Sequence, residues 1–138
     1  MRLLVSLLLL ISTSTLAETY IQLNGVSIHN KSNSNFNGLN YGAGIEQTIT
    51  DSWSVAGGWY RNSEYTGSTY GYARYTVYKN ESWNIGIGAG LVTGYESYPV
   101  APALFPEVCY SYLCAVALPQ VKTSGAGALA FHLRVPIY

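Results

Sequence analysis

From Leu39 onward the chain alternates apolar residues with small or polar ones, and I-to-I+2 spacing of this kind, with no helical stripe beside it, admits a sheet and little else. In "WSVAGGW" one face carries Trp53, Val55, Gly57 and Trp59, and the other Ser54, Ala56 and Gly58. In "WNIGIGAGL" Trp83, Ile85, Ile87, Ala89 and Leu91 alternate with Asn84, Gly86, Gly88 and Gly90. In "ALAFHLRVPIY" Leu129, Phe131, Leu133, Val135 and Ile137 oppose Ala128, Ala130, His132 and Arg134. Clusters of Asn, Gly, Ser and Asp punctuate these runs, as turns require.

Alternation alone also suits a soluble ligand-binding barrel with its apolar face inward. Such a barrel needs Lys and Glu on the outer faces, and here those faces would carry Gly, Ala, Ser and Asn. Only 10% of the chain is charged, against roughly 25% in an ordinary soluble domain. A membrane barrel reverses the demand: apolar residues outside, small polar ones inside, Trp and Tyr at both interfaces. The composition favours the membrane barrel.

The segments predict eight antiparallel strands near 20–29, 39–50, 53–62, 68–79, 83–94, 101–109, 113–119 and 126–135, closing into a transmembrane β-barrel. "TDSWSVAGG" and "NESWNIGIG" form a weak repeat, each placing an acid, Ser and Trp before an alternating strand, so Trp53 and Trp83 belong to one girdle. An even strand count puts both termini on the periplasmic side. Short turns near 51, 80 and 111 then face inward, and the longer polar loops near 30–38, 62–68, 94–100 and 120–125 face outside.

Ahead of the strands, Met1, Arg2, the run "LLVSLLLLIS" and small residues at Thr15 and Ala17 read as a signal peptide over 1–17, cut at Ala17/Glu18. The run is short for a membrane helix, which needs roughly 20 apolar residues. The barrel domain is then 18–138, about 120 residues, which suffices for one domain. Removing Arg2 leaves six basic against seven acidic side chains, so there is no basic field for nucleic acid.

On this topology His29 ends the first strand and Asn62 and Ser63 end the third, all at the outer rim. Acyl transfer uses such a set: an imidazole to take the hydroxyl proton, the hydroxyl to attack, and an amide to stabilise the oxyanion. Wet rims are also rich in Asn, Ser and His for no catalytic reason. Pro106 and Pro119 flank the turn near Ser111 and, lacking N–H donors, either open a gap in the wall for a lipid chain or end their strands early. Gly42, Gly44, Gly58, Gly86, Gly88 and Gly90 fall on the small face, where they leave a slot for an acyl chain or relieve curvature. Glu46, Arg74 and His132 or Arg134 are expected to form an interior ion-pair plug. Cys109 and Cys114 bracket "YSYL" across an inner turn and are expected to bridge after export, with Cα atoms near roughly 5.5 Å.

The segment "WNIGIGAGLVTGYESYPVAPALFPEVCYSYLCAVALP" resembles the C-terminal half of the outer-membrane lipid A palmitoyltransferases. In that family a strand alternating hydrophobic residues with Gly leads through Ala-Gly-Val-Thr to a Pro-rich outer loop, then to a strand pair with a proline in each. "YRNSEYTGSTYGYARY" resembles the family's segment of an aromatic, a basic residue, Asp-Ser and an aromatic-rich strand. The resemblance covers about two thirds of the chain after its leader. It implies Ser63 as the catalytic Ser, His29 as its partner, and Pro106 and Pro119 as the lateral access for phospholipid. Two departures stand out: the family's Asp is Asn62 here, and strand residues begin almost at Glu18, where the family has an amphipathic helix.

The leading expectation is an outer-membrane barrel of a Gram-negative bacterium, monomeric, in contact with phospholipid and lipid A, transferring an acyl chain between membrane lipids without metal or organic cofactor. The alternatives are a non-catalytic barrel for surface binding or envelope protection, and a lipid hydrolase on the same scaffold.

Overall fold

The computed structural model describes residues 17–29, 36–96, 98–118 and 127–137. Of the expected leader only Ala17 falls among them, and Pro119 lies outside the described residues. Eight strands follow one another: β1 (Thr19–His29), β2 (Leu39–Thr48), β3 (Trp53–Arg61), β4 (Gly67–Lys79), β5 (Trp83–Thr93), β6 (Val100–Tyr110), β7 (Leu113–Leu118) and β8 (Ala128–Ile137). Each pairs antiparallel with its sequence neighbours, and β8 returns to β1 to close the barrel. Every strand bound falls within two residues of its expected place.

Turn chemistry fixes the register. Thr50 Oγ1 accepts from the Ser52 and Trp53 amides at 3.3 and 3.0 Å, and Asn80 Oδ1 accepts from the Ser82 and Trp83 amides at 2.9 and 2.7 Å. The repeated acid-Ser-Trp pattern is therefore held by the residue before the acid, whose side chain mimics a backbone turn. The third short turn is Ser111–Tyr112, with Ser111 in the left-handed region at φ 54°. All three lie at one end of the barrel, and the strand ends at His29, Leu39, Arg61, Gly67, Thr93 and Val100 lie at the other.

The distribution of polarity is the reverse of a soluble domain's. Ile45, Leu104 and Trp53 face outward at 60%, 63% and 50% exposure, while Arg74, Glu46 and Glu107 are sealed inside at 0%, 0% and 1%. Lone buried charges would be prohibitive, so they are paired. Arg134 donates to both carboxylate oxygens of Glu46 at 2.9 Å each and lies over the Tyr20 ring at 3.6 Å. Arg74 donates to Glu107 at 2.6 Å, to Asn84 at 2.7 Å and to Thr76 at 3.0 Å. The expected ion-pair plug is thus present, with Glu107 as a further member.

The loop-side half of the interior is filled by rings. Tyr70 donates to Gln22 at 2.9 Å, Gln22 donates to Tyr72 at 2.6 Å, and Tyr72 meets Phe105 edge-on at 5.1 Å. The inward glycines are where these groups lie against the wall. A Cβ on Gly44 would stand 2.2 Å from the Tyr70 hydroxyl, on Gly88 2.3 Å from the Phe105 ring, and on Gly86 2.6 Å from the Arg74 guanidinium. The expected acyl slot along these glycines is therefore occupied: the volume they release is taken by Tyr, Phe and Arg side chains.

One seam differs from the rest. Cys109 and Cys114 form a disulfide whose Cα atoms are 4.0 Å apart. This is closer than the expected spacing because they form a non-hydrogen-bonded antiparallel pair, where strands approach most closely. The peptide groups of Cys109 consequently point to β5, and those of even-numbered residues on β6 point to β7. Pro102 and Pro106 are both even, so the donors they lack are donors toward β7. The β5–β6 ladder accordingly runs whole from Trp83–Tyr110 to Thr93–Val100, whereas the β6–β7 ladder stops at Glu107–Val116, one residue before Pro106.

Candidate functional site

At the loop end, Asn62 follows the last residue of β3 and organises the β3–β4 connection. Its Oδ1 accepts from the Glu64 and Thr66 amides at 2.9 and 3.1 Å. Its Nδ2 donates to Thr66 Oγ1 at 2.8 Å, Ser68 Oγ at 2.9 Å and the Gly94 carbonyl at 2.9 Å. The side chain is wholly buried, and both its ends are engaged within the protein. A carboxylate here would face the Gly94 carbonyl with no proton to donate, so an amide fits this position. Tyr65, at φ 62°, completes the tight loop.

Ser63 sits beside this hub. Its carbonyl accepts from the Asn37 amide at 2.9 Å, and its side chain is among the groups that bear on the Tyr95 phenol. Tyr95 in turn meets Tyr60 at 2.8 Å. Burial raises the Tyr95 phenol above its ordinary range, so it stays protonated as a hydrogen-bonding group. His29 ends β1 and stacks on Phe36 at 4.9 Å between centroids. Among the described residues no hydrogen bond joins His29 to Ser63; the two are linked through the consecutive residues Phe36 and Asn37. The rim thus gathers His29, Asn62 and Ser63 at one end, with Ser63 facing a phenol and Asn62 holding a loop.

Pro106 lies on the outward face of β6, where the β6–β7 ladder ends. Cys109 and Cys114 are 1% and 0% exposed, inside the barrel. Behind them His132 Nε2 stands 3.3 Å from Glu107 Oε2, and neither atom has a hydrogen bond of good geometry among the described residues. Glu107, Cys114 and His132 approach one another within 4.8 Å, but this group does not suit a cation. The Cys114 sulfur is consumed by the disulfide and offers no thiolate, and Arg74 already neutralises Glu107.

Glu107 is the member of this cluster that sequence reasoning missed. Its signal was available: it alternates with Phe105 and Cys109 on the inward face of a strand whose outward positions are Pro, Leu and Val. At the opposite, turn end, a polar cavity of about 300 Å³ is bounded by Glu18, Asp51, Lys79 and Arg134. Neither His29 nor Ser63 lines it.

No protein-family model matches the chain, and no curated protein matches it. Among solved structures it is similar to the outer membrane protein Ail of Yersinia pestis, whose backbone was determined in a phospholipid bilayer nanodisc. The two share 10% sequence identity with a TM-score of 0.50, over 88% of this chain and 99% of that one. At this identity the likeness carries the fold alone: a closed eight-stranded antiparallel barrel resembling that of an outer-membrane protein.

Proposed function

We propose that the chain, freed of residues 1–17, spans the outer membrane of a Gram-negative bacterium as a monomeric, non-catalytic barrel that presents its loop end at the cell surface. The observation that carries this reading is the filled interior: ion pairs on one side and Tyr70, Tyr72 and Phe105 on the other leave the inward glycines no room for an acyl chain. The outward apolar surface and inward charges support residence in lipid. A closed barrel offers no free edge for strand pairing, which supports a monomer. Surface binding or envelope protection then belongs to the Tyr- and Asn-rich loops.

Lipid acyl transfer is the second reading, favoured by the β6–β7 ladder ending at Pro106, where a phospholipid or lipid A chain would approach from the bilayer, and by Ser63 at the same end of the barrel. In that reading His29, turned off Phe36, takes the Ser63 proton as Ser63 Oγ bonds to the acyl carbon. The ester C–O bond breaks, the lysophospholipid alcohol leaves with that proton, and a lipid A hydroxyl or water then takes the acyl group from Ser63, with Pro106 and Pro119 proposed to bound the lateral opening. Neither reading calls on a cofactor. The deciding experiment is mass spectrometry of lipid A and phospholipids from Gram-negative cells expressing the wild type or Ser63→Ala, with the barrel verified as a heat-modifiable membrane protein. Identical lipids in both are expected. A Ser63-dependent acyl gain on lipid A would establish a transferase, and Ser63-dependent release of fatty acid a hydrolase.

A further inference from the structure

The registers of β6 with β7 and of β7 with β8 put three inward side chains in one row: Cys109 faces Cys114, and Cys114 faces His132. Glu107 lies two residues along β6 on the same inward face. Ligand atoms of Glu107, Cys114 and His132 all lie within 4.8 Å of one another, and Cys109 Sγ stands 3.6 Å from Glu107 Oε1. Two atoms point into this cluster with no hydrogen bond among the described residues: Glu107 Oε2, on a side chain 0% exposed, and His132 Nε2, on a side chain 9% exposed. Buried polar atoms left in this state are rare and costly. Arg74 holds the other oxygen of Glu107 and leaves this one free.

With the disulfide closed no cation fits, because each sulfur is bonded to the other. The chain is made with both cysteines as thiols, and in that state the cluster offers two sulfurs, an imidazole nitrogen and a carboxylate oxygen. This donor set suits tetrahedral Zn2+, whose bonds of about 2.0–2.3 Å set neighbouring ligand atoms roughly 3.3–3.8 Å apart, a small contraction of the cluster. Charge selects the ion. Two thiols release their protons to solvent as the metal binds, and the two thiolates cancel a divalent charge while Glu107 continues to cancel Arg74. The sealed interior therefore gains no net charge. A soft monovalent ion such as Cu+ would leave one negative charge there unmatched. Asn84, the register partner of Cys109, lines the turn-end cavity of about 300 Å³ and marks the way in.

We propose that the dithiol form of this barrel holds one Zn2+ between Cys109, Cys114, His132 and Glu107, so that zinc and the disulfide are alternative ties on the same two sulfurs. Two S–H bonds break, two S–Zn bonds form, and no electron moves. The metal joins β6, β7 and β8, where the disulfide joins only β6 and β7. With four protein ligands the site is closed and structural, and it stands whether or not Ser63 reacts.

The test folds the chain, without its leader, into phosphatidylcholine vesicles in two forms, bridged and fully reduced under a phosphine, and titrates each with Co2+ as the probe. The reduced barrel is expected to take up one Co2+, with thiolate-to-cobalt charge-transfer absorption and the intense visible bands of a tetrahedral site, all bleached by Zn2+. The bridged barrel is expected to show neither. His132→Gln is expected to weaken binding by more than the roughly tenfold that loss of an outer-shell partner costs. X-ray absorption at the zinc edge of the wild type needs no variant, and two sulfur neighbours with two nitrogen or oxygen neighbours are expected. A reduced, heat-modifiable barrel that takes up no Co2+, equal uptake by the bridged form, unchanged binding in a folded His132→Gln barrel, or a zinc shell without two sulfurs would overturn the proposal. Insertion only of the bridged chain would overturn it too and leave the membrane reading intact, whereas insertion of neither form would overturn both.

Discussion

The β3–β4 and β6–β7 seams close the same barrel by different means. Between β3 and β4 the register runs unbroken from Trp53–Tyr75 to Arg61–Gly67, and the Asn62 hub ties off its end. Between β6 and β7 the ladder covers only Tyr110–Leu113 to Glu107–Val116, because Pro102 and Pro106 cannot donate toward β7. What replaces the missing peptide hydrogen bonds is side-chain chemistry: a disulfide inside the wall, and Glu107 reaching Arg74 on β4 and His132 on β8. Ladder continuity and buried bolts are thus alternative ways to hold neighbouring strands, with different sensitivities to mutation.

That difference is open to test by urea unfolding in lipid vesicles, followed by tryptophan emission. Glu107→Ala strands Arg74 as an unpaired charge that is fully buried, and a loss of about 3–5 kcal/mol is expected. A loss under 1 kcal/mol would mean that water reaches Arg74 and that the bolt is dispensable. Replacing both Cys109 and Cys114 with Ser is expected to cost about 2–3 kcal/mol, as the short hairpin regains freedom in the unfolded chain. No cost would show that four ladder pairs hold the seam unaided. On the other wall, Gly58→Ala sets a methyl 2.5 Å from the Ala43 carbonyl and 2.6 Å from the Tyr70 hydroxyl. A loss of about 1–3 kcal/mol is expected, since the nearer neighbours are backbone and cannot move aside cheaply.

Much of this fold was legible in the sequence because a membrane barrel writes its register into a period of two. Trp53, Trp83 and the Asn, Ser and Asp clusters fixed where strands begin, and the charged residues on small faces marked the plug. The candidate site was legible only as positions: His29, Asn62 and Ser63 do share one end. Their chemistry was not, because it depends on where side chains point across strands. Asn62 reads as a free amide until Ser68 and Gly94, distant in sequence, are seen to accept its hydrogens. The inward glycines read as empty space until Tyr70 and Phe105 are found lying against them, from strands whose own pattern says only that they face inward.

These glycine–ring contacts also bear on how the sequence can drift. Tyr70 reaches past Gly58 to Gly44, and Phe105 lies on Gly88, so the positions cannot vary one at a time. A chain that gained a larger residue at 44 or 58 would have to shrink at 70 in the same lineage, and 88 and 105 would exchange bulk in step. Descendants of this barrel should therefore keep the summed volume across each contact while the individual residues change, a covariation that would persist after the loops had lost all resemblance.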